Sequence, residues 1–293
     1  MIDLHMHTIY SDGTDEVKEI LKKANDLNIE AISITDHNSV KAYLEMENNP
    51  KQRSLFKGNI INGCEFTTSY KSQLIEVLGY GIDYKIIDKY LEKYYSQDGI
   101  NYYSNTMYNR IVDKLLSLGY TFNLPKVKDR KFNTEFFNGE IFNELMKYEE
   151  NIISLKKEHL TTFFAFFRKG ITNPKSKFFV DSSDLKPSLN EIIDIIHRAG
   201  GKSFLAHPYQ YAVDDMHSFL SELTSNYNID GIECYHTTFS KKESDTLVEY
   251  AKNNNLCISG GSDYHGKNKI NHDLARGNGN LNISKDILKY WKI

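Results

Sequence analysis

The sequence predicts an α/β fold with a mostly parallel sheet, interrupted by one long helical insertion. Three observations predict it. Strand-like and helix-like segments alternate over the first eighty residues, the same alternation resumes near residue 188, and residues 85–185 between them are mostly helical in periodicity. An α/β barrel with an inserted helical subdomain fits this order, and so does an open doubly wound sheet. Residues 1–84 and 186–293 then form the main domain, and residues 85–185 form the inserted cap.

Residues 1–7 read as a strand. Val17, Ile20, Leu21, Ala24 and Leu27 recur at helical spacing within 15–28, behind a turn and candidate N-caps at Asp12-Gly13-Thr14-Asp15. A strand at 30–35, a short helix near 39–48 and strands at 59–66 and 73–80 follow. In the insertion, Ile111, Leu115, Leu116 and Leu118 mark one helix, Ile141, Phe142, Leu145 and Met146 a second, and Phe163 to Phe167 an aromatic third. A helix at 188–199 ends on Gly200-Gly201, a C-terminal signal. Strand 202–206, a helix near 213–226, strand 230–235, helix 240–254, strand 256–261 and a last helix at 284–291 complete the series.

The 293 residues are 40% hydrophobic and 26% charged, a balance that argues for a globular chain and against disorder. No run of 18 apolar residues suggests a membrane span, and MIDLHMH lacks the basic and apolar regions of a secretory signal. Cys64, Cys234 and Cys257 are widely spaced, which argues against a disulfide framework or a Cys-rich zinc site and points to the cytoplasm. The net charge of −3 argues against a strongly basic polyanion binder. Residues 101–180 nevertheless carry 13 Lys+Arg against 8 Asp+Glu, while the rest of the chain is acidic. A basic middle suits steering of an anionic substrate toward an acidic, metal-rich site.

The chemistry lies at the strand ends. His5 and His7 close the first strand, Asp36 and His37 the second, and Glu65 the third. His207 ends the strand after the insertion, Glu233 and His236 the next, and Asp263 and His265 the last. In a parallel barrel these C-terminal ends share one face, where distant residues converge. Imidazoles and carboxylates together suit zinc, manganese or iron. Each residue alone has a structural explanation, as a turn, a cap or a satisfied core histidine. Six such coincidences at one barrel end favour a metal site.

These residues resemble the PHP (polymerase and histidinol phosphatase) family. His5-Met6-His7-Thr8-Ile9-Tyr10-Ser11-Asp12-Gly13 is similar to its opening motif, and Ile34-Thr35-Asp36-His37-Asn38 to its second. Gly63-Cys64-Glu65, Ala206-His207-Pro208 and Gly261-Ser262-Asp263-Tyr264-His265-Gly266 are similar to later motifs, in the same order. The resemblance implies a distorted seven-stranded (β/α) TIM-like barrel with two or three divalent metals, manganese, iron or zinc. It implies His5, His7, Glu65 and Asp263 on one metal, and Asp12, His37 and His265 on another. Glu65 and His207 would serve the third, together with Glu76, which stands where the family carries a histidine. The helical insertion resembles the branch that hydrolyses nucleotide 3′,5′-bisphosphates and trims nucleic-acid 5′ ends.

The implied function is a metal-dependent phosphoesterase, a hydrolase of phosphoric ester bonds. Its substrate would be a nucleotide, a nucleic-acid end or a small phosphorylated metabolite. Asp263 would shuttle a proton, His236 would protonate the leaving group, and Asp36 would orient a ligand imidazole. The family's phosphate-clamping arginines are absent: Tyr209-Gln210 follow Ala-His-Pro, Gly139-Glu140-Ile141-Phe142 stands at the insertion motif, and Phe239 replaces a histidine. Arg110, Arg130, Arg168 and Lys169 are the candidate replacements. An amidohydrolase-like hydrolase and a non-catalytic metal- or nucleic-acid-binding module are the alternatives.

Overall fold

The computed structural model describes residues 1–131, 137–211 and 213–291. Strand β1 (Ile2–Asp3) is followed by α1 (Val17–Asp26), β2 (Ala31–Ile32), α2 (Lys41–Asn48), the single turn α3 (Pro50–Arg53), β3 (Asn59–Ile60), β4 (Gly63–Tyr70) and β5 (Gln73–Tyr80). Helices α4 (Tyr84–Tyr95), α5 (Gln97–Ser117), α6 (Asn138–Leu145) and α7 (Glu149–Lys157) come next, then a π-helical segment at Ala165–Ile171. The alternation resumes with α8 (Leu189–Arg198), β6 (Lys202–Leu205), α9 (Met216–Asn226), β7 (Gly231–His236), α10 (Lys241–Asn253) and β8 (Cys257–Gly261). The expected last helix is a 3-10 segment, Lys285–Tyr290.

The chain divides into two compact units. One holds Met1–Thr68, Ile75–Leu91 and the chain from Ser188 onward, and the other holds Ser69–Leu74 and Glu92–Pro187. The first is α/β. Its described strands form a parallel sheet, β1-β2-β3, and a mixed sheet, β4-β5-β6-β7-β8. The bridges Met6–Tyr264 and His37–Glu65 carry pairing past the ends of the regular strands. The pairing is mostly parallel, as expected, and the exception is β5, which runs antiparallel to β6. The cause is local. Only Lys71 and Ser72 separate β4 from β5, both at positive φ, so the pair is a hairpin, whereas a parallel return needs a long crossover. Glu65 therefore lies inside an eight-residue strand and not at its end.

Helix burial follows the apolar periodicity. In α8, Leu189, Ile192, Ile193, Ile195 and Ile196 are buried, and Ser188 with Glu191 closes a reciprocal cap at its start. In α1, the buried face is Val17, Ile20, Leu21 and Ala24. Asp15 does not cap that helix. It accepts from Tyr264 Oη at 2.6 Å and pairs with Lys23. Ile2, Leu4, Leu78, Tyr80, Phe204, Ile283 and Trp291 belong to one buried cluster of the α/β unit. Trp291 packs on Tyr80 and Phe204, with ring centroids at 4.9 and 4.6 Å, and donates Nε1–H to the Ile258 carbonyl at 2.9 Å.

The second unit is helical, with its own core around Tyr108, Ile111, Leu115, Ile141, Leu145 and Phe166. Tyr108 and Tyr120 are buried there and serve packing, while Tyr102 is exposed beside a pocket of about 230 Å³. Among the described residues no helix is long and apolar enough to cross a membrane. Trp291→Ala should destabilise the protein by about 3–5 kcal/mol, because it empties a closed aromatic site. Urea unfolding followed by far-UV circular dichroism measures this.

Candidate metal centre

The opening segment carries the first donors. Met6 N–H bonds Thr35 Oγ1 and pairs across to Tyr264, which fixes the backbone on both sides of His5 and His7. Gly261 makes that approach possible, since a Cβ there would stand 2.3 Å from the His5 backbone nitrogen. His7 N–H bonds Tyr264 O at 2.8 Å, and Asp263 N–H bonds His5 O at 2.8 Å. Asp263 and His207 both sit at positive φ, 55° and 22°. Backbone strain at two donor residues costs stability and needs surrounding structure to hold it.

All the predicted metal residues come together in one cluster. His5 Nε2 and His7 Nε2 each lie 3.3 Å from Glu65 Oε2, and Asp263 Oδ1 is 3.6 and 3.3 Å from the same two nitrogens. Asp12 faces His265 Nε2 at 3.1 Å and His37 Nε2 at 3.8 Å. His37 Nδ1 faces the other way, 3.1 Å from Glu65 Oε2 and 3.8 Å from Glu76 Oε1. His207 Nε2 lies 2.9 Å from Glu65 Oε1 and 3.3 Å from Glu76 Oε2. Glu76 thus reaches the cluster from β5. Among the described residues, three overlapping sets place all their donor atoms within 4.8 Å of one another: His7, Asp12, His37 and His265; His5, His7 and Glu65; and His37, Glu65 and Glu76.

The donors fit a metal. His5 Nε2, His7 Nε2, His37 Nδ1, His265 Nε2 and Glu65 Oε2 are buried without a hydrogen-bond partner. Buried polar atoms are normally satisfied, and five orphans in one cluster mark the place of a ligand. Their chemistry, imidazole nitrogen and carboxylate oxygen, suits divalent first-row metals.

Outer residues set the tautomers. Glu233 Oε1 lies 2.8 Å from His5 Nδ1 and accepts its N–H, leaving Nε2 for the cluster, while Glu233 Oε2 accepts the His207 backbone N–H at 2.7 Å. The Asp263 carbonyl does the same for His265 Nδ1 at 2.8 Å. Sequence reasoning placed Glu233 at a strand end without giving it this role. The signal was a lone acid within the apolar strand Gly231–His236. Asp36 does not meet the expectation of orienting an imidazole. Its carboxylate accepts Thr8 N–H, Thr8 Oγ1–H and Ser11 Oγ–H, each at 2.7 Å, and so ties down the loop that carries Asp12.

The electrostatics follow from burial and mutual charge. Burial pushes the Glu65 carboxyl up, and His5, His37 and His207 around it override this and hold it well below the usual carboxylate range. Burial lowers His7, but the Asp263, Glu65 and Asp12 carboxylates close to its ring raise it to about 9. Burial and the His7 charge lower His265 to about 4. Burial lowers His236 as well. Its Nδ1 accepts Thr238 N–H at 3.1 Å, so Nε2 carries the proton and faces Asp263 Oδ2 at 3.2 Å.

The candidate phosphate residues lie in the helical unit. Arg110 makes two bonds to Asp184, at 2.8 and 2.7 Å, and Arg130 two to Glu140, at 2.9 and 2.6 Å. Each guanidinium therefore already holds a carboxylate. Arg168 and Lys169 lie on the π-helical segment. Phe239 is buried against the His236 ring at 5.1 Å and the Tyr209 ring at 5.5 Å, an apolar contact. Sequence reasoning did not single out Lys269, whose Nζ lies 2.6 Å from Asp263 Oδ2.

Two outcomes follow. Glu233→Gln should weaken manganese binding by about 10–100-fold, measured by isothermal titration, because His5 loses the carboxylate that fixes its tautomer. In the metal-free protein His7 keeps its proton up to about pH 9. Metal displaces that proton, so manganese affinity should rise between pH 6 and 9, by up to about tenfold per pH unit. A flat profile would contradict the assignment of His7.

The chain matches the PHP domain over residues 3–291. It is 22% identical over 275 residues to a phosphoribosyl 1,2-cyclic phosphate 1,2-diphosphodiesterase of Eggerthella lenta, covering 90% of this chain and 94% of that protein. It is 24% identical over 268 residues to a 5′-3′ exoribonuclease of Escherichia coli, covering 90% and 84%. In fold it resembles a Bifidobacterium adolescentis protein described provisionally as a metal-dependent phosphoesterase, with a TM-score of 0.62, 20% identity and coverage of 99% and 94%. The match across nearly the whole chain shows that this protein belongs to the PHP domain family.

Proposed function

We propose that the chain is a metal-dependent phosphoesterase that hydrolyses a phosphate ester of a nucleotide, a nucleic-acid end or a small phosphorylated metabolite. The observation that carries this reading is the set of five orphaned donor atoms on His5, His7, His37, His265 and Glu65. The names of the two relatives, a diphosphodiesterase and an exoribonuclease, support phosphorus as the reacting centre.

Two or three divalent ions, manganese, iron or zinc, are the proposed cofactors. Bound there, they would lower the pKa of a water and offset charge on the phosphoryl oxygens. His5, His7, Glu65 and Asp263 would hold one, Asp12, His37 and His265 a second, and Glu65, Glu76 and His207 a third. The bridges Met6–Tyr264 and His37–Glu65 support reading the two sheets as one distorted ring of seven strands, with β3 and β4 as one interrupted strand. Free Cys64, Cys234 and Cys257 support a reducing, cytoplasmic setting.

Asp263 and His236 are the proposed proton-handling pair. Asp263 Oδ2 accepts from His236 Nε2–H, which gives a path for one proton between the carboxylate and the imidazole. His236 is buried and held neutral, so it would release a proton to the leaving oxygen only as another replaces it. The insertion, residues 85–185, is the proposed determinant of substrate choice, supported by the basic excess of residues 101–180.

The test is a phosphate-release screen on stripped and manganese-reconstituted protein, with metal content read by mass spectrometry. Two or three metals per chain and chelator-sensitive phosphate release are expected. His7→Ala should lower turnover by at least about a thousandfold while circular dichroism stays unchanged. Hydrolysis of amides instead of phosphoesters would replace this reading with the amidohydrolase one. Metal-independent nucleic-acid binding without turnover would favour a binding module.

A further inference from the structure

We infer that Lys269 is a cation that binds the substrate's phosphate beside the donor cluster. The inference rests on the phosphoesterase reading and deepens it. Asp263 uses its two oxygens differently. Oδ1 faces His5 and His7, while Oδ2 faces His236 Nε2 at 3.2 Å and Lys269 Nζ at 2.6 Å. Asp263 is buried, yet the Lys269 side chain is 30% exposed. The ammonium therefore stands at the border between the donor cluster and solvent, where an incoming anion arrives. The next residue, Ile270, is 83% exposed, so the loop opens outward at that point.

The loop that carries Lys269 is pinned to the centre. A 3-10 turn, Gly266–Asn268, follows His265 directly. Asn268 donates Nδ2–H to the Asp12 carbonyl at 2.8 Å, and Lys267 N–H bonds Thr14 Oγ1 at 2.9 Å. The same turn thus locks to the loop bearing Asp12, and the Lys269 backbone is held at a fixed distance from the donors. Its flexible four-carbon stem lets the amine pivot from Asp263 Oδ2 to a phosphoryl oxygen. The exchange keeps the amine charge-paired throughout, and Asp263 Oδ2 retains His236 as its partner.

The arginines of the helical unit are less suited. Arg110 and Arg130 each hold a carboxylate through two bonds, and a phosphate would have to break both. A compact ammonium with one carboxylate bond exchanges more readily. It binds phosphate as a point charge and not as a planar fork, which fits a site where metal ions set the orientation.

Isothermal titration of inorganic phosphate into the manganese-loaded full chain tests this, beside KM for a phosphomonoester and manganese content by mass spectrometry. Lys269→Gln should weaken phosphate binding and raise KM by at least about tenfold, with manganese content unchanged. Lys269→Arg should stay within about threefold of the parent protein, and Lys267→Gln, whose side chain is not invoked, should match it. Unchanged phosphate affinity and KM in Lys269→Gln would overturn the inference. So would loss of manganese in that variant, because Lys269 would then serve only to balance Asp263. If the parent protein hydrolyses phosphoesters and Lys269→Gln equals it, the lysine assignment alone falls. If the parent protein neither binds phosphate nor turns over any phosphoester, the phosphoesterase reading falls with it.

Discussion

The structure turns on one buried carboxylate. Glu65 lies in the interior of β4 with four imidazoles around it, from His5, His7, His37 and His207. A lone buried carboxylate would protonate or unfold the site. Here the histidines keep it ionised, and it in turn holds three different segments of chain together. His5 and His7 come from the opening segment, His37 follows β2, and His207 follows β6. The arrangement leaves Glu65 Oε2 and the cluster-facing nitrogens of His5, His7, His37 and His265 without hydrogen-bond partners. An assembly that concentrates unsatisfied donors is unfavourable without a ligand, and divalent metal is the ligand their chemistry suits.

Holding it requires devices that do not touch the centre. Gly261 lets β8 approach His5 closely, and Glu233 fixes both the His5 ring and the His207 backbone. Asp36 clamps the loop before Asp12 through three hydrogen bonds. Asp3 does similar work beneath the centre, taking bonds from Ser262 and Ala275. These are buried acids with fully committed oxygens. They turn the strain at Asp263 and His207 into a fixed geometry.

Much of this was legible in the sequence, and the parts that were not have physical reasons. The donors were legible because parallel strands deliver their C-terminal ends to one face, so a His or acid after each apolar run carries positional meaning. The direction of β5 was not, because alternation of apolar and polar residues is the same read either way along a strand. Its turn, Lys71-Ser72, lacks the Asn-Gly signal that marks most tight hairpins. The regular pairing of β1 and β2 is shorter than their apolar runs, because the chain beyond them bends to present His5, His7 and His37. Lys269 was missed because a lysine in a polar loop with Lys267 nearby reads as a solvated charge. Its meaning appears only when the Asp263 side chain is placed beside it.

The central claim is that these donors hold metal. Crystals of the zinc-reconstituted protein, measured on both sides of the zinc absorption edge, test it most directly. The account predicts anomalous peaks within the cluster, about 2.0–2.2 Å from Glu65 oxygens and from the orphaned imidazole nitrogens. Peaks confined to the protein surface, or none at all, would contradict it.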